Sequence, residues 1–159
     1  MRELAEYRGR LVASYANQPQ ELQRLGARIP AGRLSRELEP GGWSPHQILT
    51  HLRDVEVQAF VPRIGRIVTE ETPRLASFDP EAWMDQHYDG QEGAGEIAAE
   101  IQRRRAAGSQ WIDGLEAEGW SRTGEHPSFG VRTLQWWVEY SVAHFAEHLE
   151  QLGRSAEGG

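Results

Sequence analysis

The chain has 159 residues and no cysteine, and all 17 of its basic residues are arginine. Disulfide staples, thiolate zinc sites, a nucleophilic cysteine and lysine Schiff bases are thereby excluded. Its net charge of −7 argues against a phosphate-tracking surface, so no nucleic-acid partner is expected.

The length fits one domain, placed at 1–152, with a small, polar, flexible tail at 153–159. No apolar run approaches the roughly 20 residues that span a bilayer. The charged start Met1-Arg2-Glu3-Leu4 lacks the apolar segment of a signal peptide. A cytoplasmic protein with no membrane partner is the expectation.

The first predicted helix covers about Glu3 to Arg28, with Leu4, Leu11, Tyr15, Leu22 and Leu25 on one stripe. After a breaker stretch from Pro30 to Gly42, the second opens with Ser44-Pro45-His46-Gln47. Ser44 suits the N-cap, Pro45 the first helical position, and Gln47 completes a capping box. Ile48, Leu52, Val55 and Ala59 then fall within about 60° of one another on a helical wheel. Pro62 is expected to kink this helix or begin a new turn. The next breaker stretch, Thr72 to Gly95, holds Phe78-Asp79-Pro80-Glu81-Ala82-Trp83, where Asp79 could cap a short extra helix near residues 79–86.

The third long helix is expected from about Glu96 to Glu118, on Ile97, Ile101, Gly108, Trp111, Ile112 and Leu115. Its run Arg103-Arg104-Arg105 reads as a solvated face. After Gly119 to Gly130, the last runs from about Thr133 to Leu152 on Leu134, Val138, Phe145, Leu149 and Leu152. No segment alternates strictly, so no strand is predicted. Four amphipathic helices joined by long loops make an all-α four-helix bundle.

His144 and His148 stand four residues apart, which puts both rings on one helix face at the edge of the apolar stripe. Two such imidazoles can share a metal ion. Buried, hydrogen-bonded packing is the alternative reading. Gln151 extends the same row and could support a ligand. The string from His144 to His148 also fits the H-x-x-E-H pattern of some zinc proteases, but only eleven residues follow it, too few for their downstream ligand. A third ligand must then lie upstream. His51 is the best placed, about 40° from Val55 at the stripe's margin. His46, at a second helical position, is expected to face water; His87 and His126 fall in loops, where a residue can still close over a site.

Trp43-Ser44-Pro45 followed by Ile48-Leu49-Thr50-His51-Leu52-Arg53-Asp54-Val55-Glu56 resembles the second-helix motif of the DinB/YfiT-like proteins. The string from His144 to Leu152 is similar to their last-helix motif. The resemblance implies a four-helix bundle whose second helix gives one histidine ligand and whose fourth gives two, here His51, His144 and His148. It further implies a homodimer and, in several branches, transferases or isomerases that use a low-molecular-weight thiol. Leu149 departs from a common pattern in which adjacent histidines stand in the last helix.

Three neutral imidazoles leave at least one coordination position open, the form of catalytic rather than structural zinc sites. Such a position lowers the pKa of a bound water or generates a thiolate. Zn or Ni are the first expectations for the divalent ion, with Fe or Cu also suited to imidazole. Asp54, Glu56 and Glu147 are the nearby carboxylates that could act as base, against the alternative of a solvated helix face. Trp136, Trp137 and Tyr140 could line a pocket or a dimer face, or simply be core. The expected function is a metal-dependent transferase of the small-thiol type, or a hydrolase, acting on a small molecule. The alternative is a non-catalytic dimeric binding module with a structural metal or none.

Overall fold

The computed structural model describes residues 1–157. Six α-helices appear among them: α1 Arg2–Gly26, α2 Pro45–Val55, α3 Val61–Thr69, α4 Pro80–His87, α5 Ala94–Ile112 and α6 Leu134–Glu157. Two strands, β1 Thr123–His126 and β2 Gly130–Thr133, form an antiparallel hairpin.

α2 starts where its chemistry dictates. Ser44 Oγ accepts from the Gln47 amide at 3.2 Å, and Gln47 Oε1 accepts from the Ser44 amide at 2.9 Å. Both orphan donors of the first turn are satisfied reciprocally. α2 continues into α3 through a π-helical stretch, Glu56–Phe60, in which the Val61 amide reaches back five residues to the Glu56 carbonyl. Pro62 follows at once in the first turn of α3, and the wider π turn absorbs the missing donor. The short helix α4 is capped as expected, with Asp79 accepting from the Glu81 and Ala82 amides.

α2 and α3 thus make one rod of a four-helix bundle with α1, α5 and α6. α1 packs between α5 and α6, and the rod packs against the same two helices from the opposite side. Consecutive members α1 and the rod therefore lie diagonally, as do α5 and α6. A diagonal connection must cross the end of the bundle, which is why the loops are long. The apolar interior falls into two clusters. One holds Tyr15, Phe60, Ile64, Leu134 and Trp137, and the other Leu22, Ile48, Leu52, Ile101 and Phe145.

Between the clusters lies a buried polar layer with one residue from each rod. Arg105 of α5 and Glu56 of the π stretch pair at 2.9 Å, both almost fully buried. Arg105 Nη1 also donates to the Tyr15 carbonyl and to Gln18 Oε1, while Ser141 Oγ donates to Glu56 Oε1. Arg105 is thus a correction to the expected solvated run: Arg103 and Arg104 are exposed and pair with Glu100, but Arg105 points inward.

Three further differences have local causes. The hairpin was not expected because β2 is exposed throughout and leaves no alternation to read. α5 stops at Ile112, short of Leu115, and Gly114 then adopts a left-handed φ of 69° that ends the helical path. α6 continues past Leu152 to Glu157, with Ser155 buried and Ser155 Oγ donating to the Leu152 carbonyl. Residues 158–159 of the expected tail lie outside the described residues.

Candidate metal centre

His51 projects from the middle of α2 and His144 and His148 from successive turns of α6, where the two helices pack. Nε2 of His144 lies 3.1 Å from Nε2 of His51 and 3.2 Å from Nε2 of His148. One nitrogen from each ring lies within 4.8 Å of the other two. Ligands about 2.0–2.1 Å from a tetrahedral zinc stand roughly 3.3–3.4 Å apart, so the spacing around His144 matches what a shared ion requires.

The surroundings fit that use. Gln151 Oε1 lies 2.8 Å from His148 Nδ1, so Nδ1 carries the proton and the Nε2 lone pair faces the cluster. Burial holds the His51 imidazole down at about 3, helped by the neighbouring His148 and His144 rings. Burial also holds His144 at about 4, with contributions from His148 and from Arg105 in the polar layer. Both rings are therefore neutral near pH 7, the form that ligates. With the His148 Nε2 lone pair turned inward, a proton on Nε2 of His144 could serve only one neighbouring ring at a time, whereas a cation can be shared by all three nitrogens. Trp43 leans on His51 with ring centroids 4.8 Å apart, limiting how the ring can turn.

A cavity of about 240 Å³ opens beside His51 and His144. It lies among α2, α3, the loop before α4, the hairpin turn and α6. Phe60, Phe78, Phe129 and Tyr140 supply aromatic walls, and Arg63 and His126 supply polar ones. Tyr140 thus takes the pocket-lining role read for it, while Trp137 is fully buried core.

The other sequence candidates sit elsewhere. Asp54 is buried and accepts from Arg53 Nε at 2.7 Å. Glu56 belongs to the polar layer. Glu147, inside the H-x-x-E-H string, is exposed. None of these three carboxylates lines the cavity beside the imidazoles. His46 corrects the expectation of a solvated ring: it is buried, with Nδ1 bonded to Tyr88 Oη and Nε2 to the Glu92 carbonyl, and pins the segment after α4. His87 is exposed in the last turn of α4, stacked on Trp83. His126 is a correction to the expected loop placement: as the last residue of β1, paired with Gly130, it comes to the cavity from the hairpin.

Two neighbours went unread. Arg63 interrupts the apolar run Phe60-Val61-Pro62-Arg63-Ile64, an anomaly that could have singled it out. Trp43 precedes the capping serine, and nothing in the spacing ties it to His51.

Comparison with known proteins agrees with this architecture. "Putative metal-dependent hydrolase YfiT" of Bacillus subtilis is 23% identical over 145 residues, covering 86% of this chain and 81% of the relative. A protein of the same descriptive name from Oceanobacillus iheyensis is 24% identical over 123 residues, 76% of this chain and 69% of the relative. The solved structure of B. subtilis YfiT, described as an unusual four-helix-bundle topology, superposes with a TM-score of 0.78 at 23% identity, over 94% of this chain and 87% of that one. The family model of the DinB superfamily matches residues 14–152, from within α1 almost to the end of α6. A match of that extent decides the matter: the chain belongs to the DinB superfamily.

Proposed function

We propose that this protein is a divalent-metal-dependent enzyme whose ion is held by His51, His144 and His148, and that it acts on a small molecule bound in the adjoining cavity. The observation that carries this reading is the convergence of three imidazole nitrogens, 3.1 and 3.2 Å apart around His144, at the wall of a cavity. A bound divalent ion supplies Lewis acidity and lowers the pKa of a water or thiol at its open position.

The chain's own residues do the rest. Gln151 holds His148 in the ligating tautomer. The buried surroundings keep His51 and His144 unprotonated. The aromatic walls exclude bulk water and orient an apolar body. The names of the relatives support hydrolysis as the reaction class. Transfer of a low-molecular-weight thiol is the second reading, implied for several branches of the family that the second- and last-helix motifs resemble; with no cysteine in the chain, the sulfur must arrive with a cosubstrate.

Metal analysis of protein purified without an affinity tag tests the site. The parent is expected to carry about one equivalent of Zn or Ni, and His51→Ala and His144→Ala to lose it. Equal metal content in parent and variants would defeat the assignment. Ester and amide substrates, and electrophiles with added thiol, separate the two reactions: turnover without thiol supports hydrolysis, and turnover that requires thiol supports transfer. Metal that affects only thermal stability, with no turnover in either assay, would favour a non-catalytic module.

A further inference from the structure

The cavity carries a charge that the metal centre does not explain. Arg63 is 8% exposed, yet its guanidinium has no carboxylate partner among the described residues. Its hydrogen bond runs from Nη2 to the Ala76 carbonyl at 2.9 Å, and the cation lies 5.0 Å from the centre of the Trp137 ring. A planar guanidinium has five N–H donors, so most of its capacity remains for something else.

His126 stands beside it. Its ring packs on the same Trp137 at 5.6 Å, and it is 4% exposed. The Ser128 and Phe129 amides both donate to Nδ1, at 3.1 and 3.3 Å. The proton of the neutral ring must therefore sit on Nε2, which is buried and has no partner in the protein. Burial and the neighbouring Arg63 charge lower the imidazole's pKa, so the ring remains a neutral N–H donor.

No acidic side chain lines this cavity, although the chain contains 24 of them. A desolvated cation is costly unless something neutralises it. A guanidinium fork and an adjacent N–H together match a planar oxyanion, and Arg is the side chain best shaped for two parallel bonds to a carboxylate. At roughly 30 Å³ per water, the 240 Å³ space holds about eight waters' volume, room for a small molecule only.

We infer that Arg63 and His126 form a carboxylate subsite, which makes the substrate a small carboxylic acid with an apolar or aromatic body. Its carboxylate lies against Arg63 and His126, and its body lies on the ring faces of Phe60, Phe129 and Tyr140. The far end of the molecule then reaches toward His51 and His144. This deepens the metal-enzyme reading and rests on it only for what lies at that far end; the carboxylate end depends on neither histidine.

The test is a calorimetric titration of the full-length protein with phenylacetate and with its neutral amide, phenylacetamide. It is run with one equivalent of zinc and again after chelation. Phenylacetate is expected to bind at least about tenfold more tightly than the amide in both states. Arg63→Met should abolish the preference, Arg63→Lys should retain part of it, and His126→Phe should weaken acid binding about fivefold. Zinc content should be unchanged in all three. Should Arg63→Met not fold, the lysine and phenylalanine variants still decide. Equal affinity for acid and amide in the parent, or parental acid binding in Arg63→Met or His126→Phe, overturns the subsite. A preference that persists while zinc fails to bind would retain the subsite and reject the metal centre.

Discussion

His148 ends in a hydrogen bond to Gln151, and that contact determines which ring nitrogen faces His51 and His144. Replacing Gln151 by leucine frees the ring to change tautomer, and a lost partner of this kind weakens metal affinity about 10–100-fold. Competition with a chromophoric chelator measures it, and an unchanged thermal midpoint would separate it from unfolding. The buried imidazoles also set a pH dependence in the metal-free protein. His51 at about 3, His144 at about 4 and the lowered His126 all lie below the ordinary histidine value near 6.5. Between those limits the unfolded chain binds more protons than the native one, so stability falls as pH drops below about 6.5. Urea denaturation of chelator-treated protein at pH 7.5 and 5.5 should show a lower midpoint at 5.5. At this scale the His144–His148 pair was legible from spacing alone. Arg105 was legible in principle, since it stands four residues after Ile101 and three before Gly108 on the buried stripe. The general rule for charge runs outweighed that register.

Two helix starts followed local chemistry closely. The capping box at Ser44 and the cap at Asp79 are both formed as their residues predict. Ser44→Ala should cost about 1 kcal/mol, read from a denaturation midpoint. The α1–α5 contact makes a sterner demand at Gly108, where an added Cβ would come within 2.2 Å of Tyr15 Oη. Tyr15 is fully buried and cannot swing away, so Gly108→Ala should destabilise by about 1–3 kcal/mol. The β-hairpin shows where reading by element runs out. Its two four-residue strands gain their partners from each other and from a bond between the Leu75 amide and the Glu125 carbonyl at 2.7 Å. β2 is exposed throughout, and the buried positions of β1 are Gly124 and His126, which carry no apolar alternation to read, yet the pairing brings His126 to the cavity.

The whole molecule is organised around the layer of Gln18, Glu56, Arg105 and Ser141, which joins all four rods between two apolar clusters. Arg105 also lies over the Tyr15 and Phe145 rings at 4.1 and 4.5 Å, one from each cluster. Arg105→Met would strand the Glu56 carboxylate in the interior, at a cost of about 3–5 kcal/mol. Adding Glu56→Gln should recover part of that loss, and the double-mutant cycle measures the coupling. Amino-acid order alone determined the four amphipathic rods, the caps at Ser44 and Asp79, the break at Pro62 and the two imidazoles that share a face of α6. Each of these depends on neighbours within a few turns, so local periodicity contains it. Tertiary structure alone decided that the rods pack with consecutive members diagonal, that His51 meets its two counterparts, and that Arg63 and His126 line one cavity. Those are contacts between residues dozens of positions apart, and they exist only once burial of the apolar stripes has chosen which faces meet.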